Sequence, residues 1–105
     1  MSSSENTFLE KLNAELDSVK SRFGVRKIGL FGSHARGEGS RGSDIDILVE
    51  FEEPTFDRYM DLKFFLEELF GVEVDLVLVD TLKPRLKPYI LKEVVYAEGP
   101  ESLSR

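Results

Sequence analysis

The sequence predicts an α/β protein, a small mixed β-sheet with helices packed on it. Stretches with apolar residues every three or four positions alternate with short apolar runs of strand length. Glycines stand where the helical stretches end. The 105 residues, 41% hydrophobic with eight phenylalanines, suffice for one core. One domain over 1–105 is therefore expected, with an ordered core over about residues 7–97. That leaves no room for a second, substrate-binding domain.

The elements follow in order. Thr7 and Glu10 have capping-box spacing. Phe8, Leu12, Leu16, Val19 and Phe23 then make one helical stripe, and Gly24 suits its end. RKIGLF (26–31) reads as a short buried strand. Residues 32–43 are glycine-rich, with a helical turn expected after Ser33. Asp44–Phe51 reads as the second strand. Pro54 and Thr55 open a helix with the stripe Phe56, Tyr59, Leu62, Leu66 and Leu69, closed by Gly71. VEVDLVLV (72–79) is apolar on both faces except at Glu73 and Asp75, as in a central strand. Pro84 and Pro88 frame a last helix near 86–93. VVYA (94–97) is an edge strand, and the tail after Gly99 is expected to be mobile.

Charge and composition narrow the function. A net charge of −6 and a pI near 4.8 argue against a protein that grips nucleic acid directly. Polyphosphates remain open as ligands if divalent cations supply positive charge. The absence of cysteine excludes disulfides and thiolate metal sites. With no signal peptide and no apolar run of about 18 residues, a soluble cytoplasmic protein without membrane contact is expected.

The chemistry concentrates in GSHARGEGSRGSDIDILVEF (32–51). On a strand, Asp44 and Asp46 share one face while Ile45 and Ile47 enter the core. Two close carboxylates repel, and a divalent cation between them removes the repulsion. Asp75 interrupts an apolar strand and completes a three-carboxylate site if that strand lies beside the second. Glu73, on the same face, is the alternative third ligand. Two Mg²⁺ ions about 3.5–4 Å apart would then clamp the attacking and leaving oxygens of a phosphoryl displacement. Gly32 lets backbone approach a phosphate, Ser33 can donate to it, and Arg36 or Arg41 can add charge-assisted contacts.

Other motifs fail in context. Gly37, Gly39 and Gly42 match a dinucleotide fingerprint, but a strand follows where a helix is needed. Glu38 stands where a P-loop requires lysine. Leu48 occupies a position that a calcium loop gives to a polar ligand. His34 sits in a polar loop and is not assigned as a base. Lys83, Arg85, Lys87 and Lys92 form a basic cluster in this acidic chain, either a solvated face or a partner surface.

The segment LFGSHARGEGSRGSDIDILVEF resembles the G-S-x10-D-x-D signature of the polymerase-β-like nucleotidyltransferase superfamily. Its minimal nucleotidyltransferase (MNT) branch, antitoxins paired with HEPN-domain ribonuclease toxins, is most similar. Gly32, Ser33, Ala35, Arg36, Gly37, Ser43, Asp44 and Asp46 match at the expected spacing. Asp75 fits the third carboxylate, and LKPRLKPYILKEVVY resembles the family's ending. The resemblance implies the minimal nucleotidyltransferase core and transfer of AMP from ATP to a hydroxyl, a tyrosine of the HEPN toxin. It implies Asp44, Asp46 and Asp75 as catalytic metal ligands. A non-catalytic antitoxin that occludes the toxin is the alternative, and homo- or hetero-oligomers are compatible with either.

Overall fold

The computed structural model of the protein describes residues 7–32 and 45–97, the side chain of Thr7 excepted. Its described elements run α1 (Thr7–Ala14), α2 (Leu16–Phe23), β1 (Val25–Phe31), β2 (Ile45–Phe51), α3 (Phe56–Phe70) and β3 (Val74–Leu78). A 3-10 turn (Val79–Thr81), α4 (Lys87–Glu93) and β4 (Val95–Tyr96) complete them. The four strands are ordered β3-β2-β1-β4, with β1 antiparallel to β2 and β4 and β2 parallel to β3. This is the mixed α/β sheet that the sequence predicts.

Period-2 alternation in β2 decides its faces. Ile45, Ile47 and Val49 are fully buried and join Leu12 of α1, Leu16 and Val19 of α2, and Leu62 and Leu66 of α3 in one core. Each fully buried aliphatic of this kind stabilises the fold by about 1.5–3 kcal/mol. None of the described helices is long and apolar enough to cross a membrane.

Three expectations are corrected. The first helix breaks at Glu15, whose φ of −101° and ψ of 7° leave helical geometry. The Glu15 N–H is shared between the carbonyls of Lys11 and Leu12, both at 3.2 Å. The stripe survives the break, with Leu12, Leu16, Val19 and Phe23 all buried. The Thr7 side chain of the expected capping box lies outside the described part.

Among the described strands, the one read as central, β3, lies at an edge. Side chains of α3 take up three backbone groups along it. Tyr59 Oη donates to the Leu76 carbonyl (2.6 Å), Lys63 Nζ to the Val74 carbonyl (2.9 Å), and the Val74 N–H donates to Glu67 Oε2 (3.1 Å). Residues 59, 63 and 67 are four apart and so lie along one side of the helix. This row blunts an edge that would otherwise invite pairing with another chain.

Phe56 also departs from its expected place in the buried stripe. The first turn of α3 stands over an open groove of about 480 Å³ beside Tyr59 and Leu76–Leu78, leaving Phe56 75% exposed. In the Phe-rich stretch, Phe70 is buried, Phe65 packs on the core and Phe64 is 59% exposed.

VVYA does form the opposite edge, as β4. A Cβ on Gly29 would lie 2.6 Å from the Val95 carbonyl oxygen and 2.8 Å from Tyr96 Cα. Only glycine lets β4 lie down beside β1 here. The chain reaches β4 from the β3 edge through α4, none of whose residues is buried. The cations Lys83, Arg85 and Lys92 are exposed around it, with Leu86 and Tyr89.

Candidate active site

The candidate site lies where β1 ends and β2 begins. Because Ile45 and Ile47 enter the core, alternation turns Asp46, half-buried, to the opposite face. On β3, Val74 and Leu76 are buried, so Asp75 between them also turns away from the core and is exposed. The parallel register sets Asp46 directly beside Asp75. Adjacent strands lie about 4.8 Å apart, so the two carboxylates share one patch, and a cation between them would offset their mutual repulsion. Glu73, the alternative to Asp75, precedes β3 and is not the register partner of Asp46.

Phe31, the last residue of β1, pairs with Asp46. Gly32 follows with φ +75°, in the left-handed region. Its backbone comes so close that a Cβ there would strike the Asp46 carboxylate. The turn is thus a cradle that only glycine leaves open. The Gly32 N–H donates to Glu93 Oε2 at 3.2 Å, a contact across 61 residues.

The structure therefore brings together Gly32, Asp46 and Asp75. Ser33, Arg36, Arg41 and Asp44, with His34, lie outside the described residues. Among the described residues no group of three or more His, Cys, Asp or Glu gathers as a metal site. Glu93 was not anticipated from the sequence. Its only signal is its place as the one acid of α4, directly after the basic cluster. Elsewhere on the sheet, burial and then the charge of Glu50 push the Tyr96 phenol up, so it stays neutral at pH 7 and cannot serve as a base.

A glycine cradle beside paired carboxylates on parallel strands has the chemistry of phosphoryl transfer, where positioning and charge neutralisation carry most of the catalysis. Comparison with known proteins agrees. The nucleotidyltransferase-domain family matches residues 12–97. The protein adenylyltransferase MntA of Thermococcus cleftensis is 48% identical over 86 residues, covering 81% of this chain and 87% of the relative. A solved structure provisionally assigned as a minimal nucleotidyltransferase superposes with a TM-score of 0.71 at 43% identity, covering 83% of this chain and 93% of the other. At 18% identity, where likeness shows the fold alone, an MNT antitoxin superposes with a TM-score of 0.61, covering 95% of this chain and 76% of the other. That antitoxin was solved in complex with a tri-AMPylated HEPN toxin from Shewanella oneidensis. The chain belongs to the nucleotidyltransferase-domain family, in its minimal branch of protein adenylyltransferases.

Proposed function

We propose that this chain is the antitoxin of a toxin–antitoxin pair, and that it transfers AMP from ATP to a tyrosine hydroxyl of a HEPN-domain toxin in the cytoplasm. The observation that carries the reading is the register pairing of Asp46 with Asp75 beside the Gly32 cradle. The adenylyl donor and protein acceptor follow the activity named for the Thermococcus relative. The toxin as acceptor follows the Shewanella complex, which shares this fold.

The residues fit Mg²⁺. Asp46 and Asp75 offer hard oxygen donors on one face, and the Gly32 turn keeps the space beside Asp46 clear of a side chain. With Asp44 they would hold the metal, which supplies positive charge to the polyphosphate and to the charge developing in transfer. Gly32 admits the triphosphate close to the backbone, and Ser33, Arg36 and Arg41 complete the proposed nucleotide contacts.

The remaining steps belong to the chain and its substrates. The acceptor oxygen attacks the α-phosphorus of ATP. The bond from that phosphorus to the bridging oxygen breaks, and pyrophosphate leaves with the electron pair. Asp75, exposed at the sheet edge, accepts the acceptor's proton and passes it to solvent.

The test is the intact mass of a co-expressed HEPN toxin, with label transfer from α-³²P-ATP. The native chain should add whole AMP units, and the double variant Asp46→Asn, Asp75→Asn should add none while keeping its circular dichroism. Undiminished transfer by the folded double variant overturns the mechanism. A silenced toxin without added mass makes the chain an occluding antitoxin instead.

A further inference from the structure

We propose that Glu93 is a positioning residue for nucleotide binding: it holds the Gly32 turn in the shape that receives the triphosphate. The inference rests on the reading of Gly32 as a nucleotide contact and adds a residue to that site. The observation is the hydrogen bond from the Gly32 N–H to Glu93 Oε2, 3.2 Å and part-buried.

Glycine has more backbone freedom than any other residue, and a glycine turn left alone samples many shapes. Gly32 must adopt one of them, φ +75°, with its backbone against the Asp46 carboxylate. A backbone amide carries one hydrogen, so donating it to Glu93 picks out a single orientation of the turn.

Glu93 is well placed to impose that choice because its own position is tied to the strand that ends in Gly32. It closes α4, where the Val94 N–H still bonds the Ile90 carbonyl. Two residues later Val95 and Tyr96 pair with Leu30 and Gly29 of β1, and the Ala97 N–H bonds the Ile28 carbonyl. Both ends of the contact are thus fastened to β1. Glu93 restrains the turn before nucleotide arrives, so less freedom is lost on binding. It acts through Gly32 and touches no reacting atom in this reading.

An opposite reading makes the Glu93 carboxylate a stand-in for a phosphate oxygen, displaced when nucleotide binds. The two differ in sign, which makes the experiment decisive. AMP-PNP with Mg²⁺ is titrated calorimetrically into the full chain and into Glu93→Ala and Glu93→Gln, and the Gly32 amide resonance is followed by NMR without nucleotide. Glu93→Ala should bind AMP-PNP about tenfold more weakly, and Glu93→Gln, which keeps an acceptor oxygen, should recover affinity to within about threefold of the native chain. The Gly32 amide resonance should move in Glu93→Ala and return toward its native position in Glu93→Gln.

Unchanged or tighter binding by folded Glu93→Ala overturns the proposal, as does an unmoved Gly32 resonance. Should Glu93→Ala fail to fold, Glu93→Asp replaces it; one methylene shorter, it keeps the charge but not the reach, and the same weakening is expected. If the native chain itself binds no AMP-PNP, the functional reading fails first, and the Gly32 resonance alone then decides the contact.

Discussion

Asp46 and Asp75 are register partners on the parallel strands β2 and β3, turned to the same face by buried neighbours on either side. Like charges set opposite one another repel, so a cation bound between the two carboxylates would stabilise the folded chain. Mg²⁺ should therefore raise the native Tm: ligand at ten times its dissociation constant adds ~1.4 kcal/mol, on the order of 5–10 °C for a chain this size. Asp46→Asn and Asp75→Asn should each lose most of that response. Each should also lower AMP transfer at least about 100-fold. Thermal scans with and without Mg²⁺ check the first outcome, and label transfer checks the second.

Gly32 to alanine is the sharpest probe of the cradle. The new Cβ would strike the Asp46 carboxylate, and a left-handed φ costs an L-residue about 1–2 kcal/mol. Tm should fall by roughly 5–10 °C while the far-ultraviolet dichroism is retained. AMP-PNP binding should be lost at temperatures where the variant is folded.

How much of this was legible depends on the physics involved. Helix stripes and the glycines ending them, Gly24 and Gly71, come from local periodicity and were readable. So was the face each of Asp46 and Asp75 takes on its own strand, which needs only parity. The adjacency of the two strands, by contrast, was a condition that the register supplies. The edge position of β3 was hidden, because an apolar run looks alike whether strands or a helix cover it. The side chains that replace a neighbouring strand, Tyr59, Lys63 and Glu67, read as ordinary helix positions. Glu93 was hidden for a different reason. Its partner is a backbone N–H 61 residues away, and such a donor leaves no mark in the sequence.

Tyr59 to phenylalanine removes the hydroxyl that caps the Leu76 carbonyl and leaves the ring in place. The expected loss is about 0.5–1.5 kcal/mol, read as a lower urea midpoint with an unchanged slope. Amide exchange in β3 should quicken more than in β1, because the lost bond anchors only the edge strand.

The Lys63–Glu67 pair gives the same edge a pH dependence. Its side-chain hydrogen bond to Lys63, followed by the one from the Val74 N–H, holds the Glu67 carboxyl below its ordinary value of 4.5. The bond to Glu67 raises the Lys63 ammonium above its ordinary 10.5, burial opposing. A depressed carboxylate contributes stability that is present above its unfolded value and lost as pH falls through the folded one. A raised ammonium contributes stability that is complete below its unfolded value and lost as pH rises through the folded one. The contribution of the pair should thus be flat between 4.5 and 10.5 and fall away outside that window. Urea midpoints measured from acid to alkali in the native chain and in Glu67→Gln test this. The variant should lose the part of the acid slope that belongs to residue 67, while its amide oxygen can still accept from the Val74 N–H. An identical acid slope in both proteins would show that the folded chain does not hold the Glu67 carboxyl below its ordinary value.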